Sequence, residues 1–351
     1  MYSIMDYAYN GITFVNNILR KQHKKLTNLM IYSTSRCNSK CKHCNIWQKP
    51  SEDLTFEEIK NIMQSDCITK RTVVGLEGGE FLLHPQYEQI LDFFHTTHPN
   101  YTLLSNGLQT EKLTRAVTQY HPKRLYLSLD EEKETYKYMR GIDGYDRVIR
   151  TIETLREKVP VSLMFCLSPF NSFEDMQHVI DIALKYNVDL RIGIYATMSF
   201  FDTKSELLSY NKTAFLQSIP KNIHLTAENY DFLRLYCDWK QGNLRLNCHS
   251  IYSQAVIHSN GDVPLCQNLG VMLGNIRKNS LDEILNSSET TRLQDKYCKS
   301  CNGCWINYHR KFDIILLRNI ERFFPKKIIE KIYGTYYWNS DRQLKYKDII
   351  K

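Results

Sequence analysis

The chain has 351 residues, 42% of them hydrophobic and 24% charged, an ordinary globular composition with material for one large domain and a smaller one. Its 46 Lys and Arg against 38 Asp and Glu give a formal charge of +8, which favours anionic partners such as phosphorylated substrates, acidic peptides or lipid headgroups. The basic residues are scattered, however, and no zinc-finger, RNP-type or helix-turn-helix pattern accompanies them, so no nucleic-acid partner is expected.

Residues 1–28 place Met5, Tyr9, Phe14, Ile18 and Leu19 at helical spacing ahead of the basic stretch Arg20 to Lys25, and read as a helical extension. Apolar, β-prone runs at about 29–35, 72–76, 101–105, 124–129, 161–167 and 189–195 then alternate with helical patterns near 53–65, 86–96, 110–120, 144–157 and 173–186. Strands separated by helices of this length run parallel with right-handed crossovers, in an open doubly wound sheet or a full or partial β/α barrel. Either way, functional groups gather where the strands end. Residues 29–205 form this core. The segment 206–245 is irregular, and 246–310 reads as a small α+β, cysteine-rich domain. It contains a hairpin-like unit from Ala255 to Leu265, turning at Asn260-Gly261, and a helix opened by Ser280 with Glu283 at the capping-box position. The tail 311–351 is an amphipathic helix interrupted by Pro325.

No apolar run reaches the roughly 18–20 residues needed to cross a bilayer, and the first thirty residues lack a signal-peptide pattern, so a cytoplasmic location is expected. Disulfides are disfavoured there, and eleven cysteines imply metal or redox chemistry. Cys37, Cys41 and Cys44 follow the first predicted strand within eight residues, a spacing that chance supplies roughly 0.01 times in such a chain. Three thiolates in one loop hold three corner irons of a cubane and leave the fourth open; zinc, with His43 as a further donor, or buried structural cysteines are the alternatives.

A CxxxCxxC loop after the first strand resembles the signature of the radical S-adenosylmethionine superfamily. The resemblance implies a partial (β/α)6 barrel of TIM type. It also implies a 4Fe-4S cluster on Cys37, Cys41 and Cys44 whose open iron binds S-adenosylmethionine, and reductive cleavage to a 5′-deoxyadenosyl radical. Gly78-Gly79-Glu80, ending the second strand, resembles the family's GGE motif for the cofactor's ammonium group; glycines permit close backbone approach and the acid is a negative acceptor. Ser105-Asn106-Gly107 and Ser128-Leu129-Asp130 end the next two strands, where Asn106, Ser128 and Asp130 are candidates for the cofactor's ribose. Arg140-Gly141 is a candidate for its carboxylate or else a solvated arginine, and Asn171 is a further polar candidate.

Cys248 is followed by twelve residues, Gly261, four residues and Cys266, and later by Cys298, Cys301 and Cys304. This resembles the SPASM or twitch extension of the same superfamily and implies auxiliary 4Fe-4S binding. Five cysteines suffice for one cluster, for which Cys248, Cys266, Cys298 and Cys301 are the first choice and Cys304 the replacement for Cys298; a structural zinc is the alternative. Cys67, Cys166 and Cys237 stand outside any motif and read as core residues.

Relatives that oxidise seryl or cysteinyl side chains typically have an aspartate after the GX4C cysteine; Gln267 stands there, and an amide takes no proton. His249 and His258 are candidate bases, though each reads equally as a core or surface residue. The first expectation for the substrate is a sugar, aminocyclitol or lipid-linked glycan. Maturation of a ribosomally made peptide is the alternative, weighed against an N-terminus too short for the peptide-binding module many such enzymes carry. A non-catalytic iron-sulfur or zinc protein is a reading of another class. The resemblance implies a flavodoxin- or ferredoxin-type electron donor. The segment Phe312 to Phe324, with Lys326, Lys327 and Lys331 beyond it, either packs on its own domain or rests on an anionic membrane.

Overall fold

The computed structural model describes residues 4–20, 23–198, 200–203 and 227–333; most of the irregular segment and the tail beyond 333 lie outside the described residues. Six strands fall where the alternation places them: β1 (Asn28–Thr34), β2 (Val73–Gly78), β3 (Tyr101–Ser105), β4 (Arg124–Ser128), β5 (Val161–Leu167) and β6 (Asp189–Ile194). A seventh, β7 (Gln254–Ile257), lies beside β1, and the sheet runs β6-β5-β4-β3-β2-β1-β7 with every pair parallel. Each of the first six strands lies beside its predecessor, with no reversal of order. That is barrel connectivity rather than a doubly wound sheet, and among the described residues the edges at β6 and β7 are open, which makes the barrel partial.

Strand alternation produces two faces. Leu29, Ile31, Val74, Leu76, Leu103, Leu125, Leu127, Leu163, Phe165, Leu190 and Ile192, all 1% exposed or less, form the hydrophobic core outside the barrel. The crossover helices α2 (Phe56–Met63), α3 (Tyr87–Thr97), α4 (Thr110–Tyr120), α6 (Tyr145–Leu155) and α7 (Phe173–Tyr186) contribute to it, through residues such as Ile90, Phe94, Val148, Ile152, Val179 and Ile180. The opposite, concave face presents Met30, Glu77, Leu104, Tyr126, Ser128, Met164 and Arg191, all half-buried. The helix starts are secured locally: Thr55 with Glu58, and Ser172 with Asp175, form reciprocal capping boxes.

The expected hairpin from 255 to 265 is divided between two sheets. The turn forms, with Gly261 at φ +87° and its N–H on the His258 carbonyl at 2.9 Å. But β7 pairs with β1, while β8 (Asp262–Pro264) pairs antiparallel with β9 (Met272–Asn275). Buried Ala255, Val256 and Ile257 suit a strand covered on both faces, and the edge of β1 supplies their partner. Where the sequence reads as irregular the structure has a helix, α8 (Ala227–Lys240); beyond it the capping box at Ser280 and Glu283 opens α9 (Leu281–Asn286), and α10 (Ser288–Ser300) follows. The N-terminal helix α1 (Ile4–Arg20) docks on this region, Asn17 donating to the carbonyl of Tyr252 at 3.2 Å and Phe14 stacking on Phe312 at 5.4 Å. In the tail, α11 (Asn307–Phe323) and α12 (Lys326–Tyr333) are separated by Pro325. Phe312, Ile314, Leu317 and Ile329 are buried within the protein, so the tail's apolar face meets its own domain and of its larger apolar residues Phe324 and Ile328 stay exposed. No helix among the described residues is long and apolar enough to cross a membrane.

Candidate metal and cofactor sites

Where β1 ends, the chain turns into the cysteine loop, and two neighbouring strand ends hold that loop in place. The backbone N–H groups of Gly79 and Glu80 donate to the carbonyls of Thr34 and Arg36 at 2.9 and 2.7 Å. A Cβ at Gly79 would lie 2.2 Å from the Arg36 oxygen, and one at Gly78, whose φ is +146°, 2.3 Å from the Thr34 oxygen. The close approach that these glycines permit is therefore to the stem of the cysteine loop itself. The buried Glu80 carboxylate accepts from the Ser105 hydroxyl at 3.0 Å and the Asn106 backbone N–H at 2.8 Å, and the Asn106 side chain donates to Asn38 at 2.7 Å. Glu80, Ser105 and Asn106 thus tie the ends of β2 and β3 to the loop between Cys37 and Cys41.

From the other side comes a helix that the hydrophobic pattern did not reveal, α5 (Lys133–Arg140). The N–H groups of Lys40 and Lys42 donate to the carbonyls of Arg140 and Met139 at 2.8 and 2.9 Å, and Gly141 ends the helix against Lys40. The thiols are largely buried. Burial pushes Cys37 up to about 12 and Cys44 up to about 11, with neighbouring thiols adding to the rise. Soft thiols that resist ionisation by themselves give up their protons when a metal binds, and three of them with no hard oxygen ligand suit iron-sulfur chemistry.

Beneath the loop lies a buried charge cluster. Arg140 is 4% exposed; its Nη2 pairs with Asp130 Oδ2, its Nε with Glu131 at 2.6 Å, and its Nη1 approaches Cys41 Sγ at 3.8 Å. It is not a solvated arginine. Asp130 lies beyond the end of β4, and its second oxygen accepts the Cys166 N–H at 2.6 Å. Ser128 alone of that pair remains on the half-open concave face. Asn171 braces the same turn, donating to the carbonyls of Asp130 and Cys166 at 3.0 and 2.9 Å. His43 is half-buried 4.0 Å from Asp130, and partial burial lowers its pKa.

The second group of cysteines is assembled from distant segments. Cys248, Cys266, Cys301 and Cys304 line one partly enclosed cavity together with His309 and Arg310. Cys298, an expected ligand, is absent from that lining: it sits on α10, turned to His249 and Tyr252. Cys298 packs in the same buried cluster as Cys248 and Cys266, while Cys301, which follows α10 in extended conformation, and Cys304 reach the cavity lining. Among the described residues no three His, Cys, Asp or Glu side chains converge as ligands of a single ion do. Cys67 and Cys237 pack in the core, as their isolation in the sequence implies, whereas Cys166 reaches the concave face.

Gln267 connects the two regions. Its side-chain amide donates to the Tyr32 hydroxyl and lies 3.3 Å from Met30 Sδ, both on the inner face of β1, while its backbone N–H donates to His309 Nε2 at 3.1 Å. The two candidate bases are opposites: burial works against His249, but bonds to Asp313 and Cys298 hold it up to about 9, whereas burial pushes His258 down to about 4. His258 stacks on Phe200 at 4.3 Å. Sequence reasoning missed Tyr32 and Glu77, although a carboxylate inside the otherwise apolar Val73–Gly78 strand is the kind of signal that marks a functional inner face.

A partial parallel barrel with three thiols at the mouth of its first strand, joined to a second thiol-lined cavity, defines the class of radical S-adenosylmethionine enzymes with an auxiliary iron-sulfur domain. The chain belongs to the radical SAM superfamily, whose family model matches residues 31–183, and a SPASM iron-sulfur cluster-binding domain matches residues 248–305. It is an enzyme that uses S-adenosylmethionine, a 4Fe-4S cluster and auxiliary iron-sulfur binding. It is 23% identical to the antilisterial bacteriocin subtilosin biosynthesis protein AlbA of Bacillus subtilis, over 79% of this chain and 68% of AlbA. It is also 23% identical to the AdoMet-dependent heme synthase of Methanosarcina barkeri, over 77% of this chain and 88% of that protein. In fold it resembles Streptococcus suis SuiB bound to S-adenosylmethionine, at a TM-score of 0.61 and 16% identity over 84% of this chain and 74% of SuiB. SuiB bound to the precursor peptide SuiA matches at 0.59 and 16% identity, over 83% of this chain and 72% of that one.

Proposed function

We propose that this enzyme modifies a ribosomally made peptide, in preference to the sugar or glycan that the sequence first suggests. The observation that carries this reading is the similarity along 79% of the chain to a bacteriocin biosynthesis protein. The likeness in fold to an enzyme solved with its precursor peptide supports it. So does the concave face, whose Tyr126, Met164 and Arg191 stay partly open in a barrel with two free edges, a shape suited to a chain segment.

In this reading Cys37, Cys41 and Cys44 hold the first cluster, and Cys248, Cys266, Cys301 and Cys304 hold a single auxiliary cluster. When bound, the first cluster and S-adenosylmethionine supply a carbon-centred radical for C–H bonds that no general base opens. The protein's own residues do the placing. Gly78, Gly79 and Glu80 receive the cofactor, with Asn106 and Ser128 beside it. Asp130 serves by fixing Arg140 under Cys41 rather than by reaching ribose. Gln267, bonded to Tyr32, gives no proton acceptor after Cys266, so the chemistry is not the seryl or cysteinyl oxidation of the aspartate-bearing relatives. The electron donor is a cytoplasmic flavodoxin- or ferredoxin-type protein.

Anaerobically reconstituted enzyme with dithionite and S-adenosylmethionine is expected to form 5′-deoxyadenosine. If a short open reading frame lies beside its gene, the enzyme is expected to change the mass of the peptide it encodes. A mass change in a sugar or glycan, with the peptide untouched, would restore the carbohydrate reading. Uptake of zinc alone, with no iron-sulfur absorption, would remove the catalytic reading altogether.

A further inference from the structure

The cavity lined by Cys248, Cys266, Cys301 and Cys304 has one fully buried cation in its wall. Arg310 is 0% exposed, and its guanidinium is held on several sides: Nε donates to the Cys304 carbonyl at 3.0 Å, Nη1 to the Leu246 carbonyl at 3.0 Å, and Nη2 to Asn302 Oδ1 at 3.1 Å. The Trp305 ring lies 5.8 Å away. All three acceptors are neutral. Asp313, 2% exposed, is the carboxylate nearby, at 3.9 Å, and its Oδ1 is already bonded to the His249 N–H at 2.9 Å.

A buried guanidinium without a close counter-charge costs several kcal/mol. Two carbonyls and an amide satisfy its hydrogens but not its charge, and the groups left facing it are the cysteines. Iron-sulfur potentials respond to net charge, hydrogen bonds and exposure around the thiolates. We infer that Arg310 is a positioning residue that raises the reduction potential of the auxiliary cluster, and that Asp313, set beside it, opposes that effect. The guanidinium stabilises the reduced, more negative state, and the nearby carboxylate destabilises it. This rests on the auxiliary-cluster reading above.

The test uses the full chain carrying Cys37→Ala, Cys41→Ala and Cys44→Ala, so that only the auxiliary cluster is reconstituted, followed by iron counting and an EPR-monitored redox titration. In that background Arg310→Gln is expected to lower the reduced-to-oxidised ratio at a fixed poise about tenfold, which is 59 mV for a one-electron couple. Arg310→Lys is expected to retain most of the wild-type value, and Asp313→Asn to shift the ratio the other way. Opposite signs at Arg310 and Asp313 are what a charge effect predicts and a loosened fold does not. Equal potentials in all variants at full iron content, or shifts of one sign in both, overturn the inference. If Arg310→Gln fails to fold, Arg310→Lys and Asp313→Asn decide it. Loss of iron from the parent background itself overturns the cluster reading beneath it, and iron content tells the two failures apart.

Discussion

The two thiol sites solve the same problem by different routes. At the first, three cysteines lie in one loop, and the fold's task is to hold that loop: β2 through Gly79 and Glu80, β3 through Asn106, α5 through the carbonyls of Met139 and Arg140. At the second, four cysteines come from three segments, and the fold must bring them to one cavity. Their charged neighbours differ in the same way. Arg140 is closely paired with both Asp130 and Glu131, whereas Arg310 has one carboxylate at 3.9 Å. The first site is therefore set among more negative charge than the second, which favours a lower potential where S-adenosylmethionine must be reduced.

The largest expected effect separates the sites outright. Cys37→Ala should abolish 5′-deoxyadenosine formation while the auxiliary cluster remains, leaving about four irons per chain where the wild type has about eight. Product formation without that thiol would break the assignment of the first site. The next effect sharpens the second. Cys304→Ala should lose the auxiliary cluster and Cys298→Ala should keep it, read as iron per chain after reconstitution; the reverse result would put Cys298 back among the ligands.

A third substitution tests the charge contrast through stability. Arg140→Met removes the cation from between two buried carboxylates and should cost about 3–5 kcal/mol in denaturant unfolding of the apo chain, because the uncompensated charges remain. A loss below about 1 kcal/mol, the range of exposed pairs, would show that Asp130 and Glu131 find other partners.

The first site was legible because its signals are local. Cys37, Cys41 and Cys44 lie within one turn of the chain, Gly78-Gly79-Glu80 ends a strand that apolar alternation announces, and Ser280 and Glu283 cap their helix by near-neighbour geometry. What escaped depends on contacts between residues far apart. Strand β7 owes its place to the edge of β1, more than two hundred residues earlier, so a turn that reads as a hairpin in isolation belongs to two sheets. Which of Cys298 and Cys304 lines the cavity, an alternative the sequence left open, depends on where α10 ends, and helix ends are set by tertiary packing as much as by propensity. Arg140 read as either a partner of the cofactor carboxylate or a solvated arginine, because nothing in a 133–140 segment of mean polar character shows that it lies beneath a metal loop.

Between the two sites lies Glu77, and it gives the smallest of the expected effects. Its carboxyl projects from β2 onto the concave face, near Gly75, and burial pushes it up to about 7 from a reference of 4.5. An acid raised in the folded state binds its proton more tightly there than in the unfolded chain. Its contribution to stability is therefore full below about 4.5 and is lost as the pH rises towards 7. Glu77→Gln, which stays neutral, should flatten this dependence and leave the variant about 3 kcal/mol more stable than the wild type, relative to acid conditions, at pH 8. Urea unfolding of the apo chain at pH 5 and pH 8 measures it. Parallel pH profiles for the two proteins would mean that a cation on the concave face, with Arg191 of β6 the nearest choice by chemistry, already pairs with Glu77. The inner face would then balance its own charge, and the contrast would narrow to the two thiol sites alone.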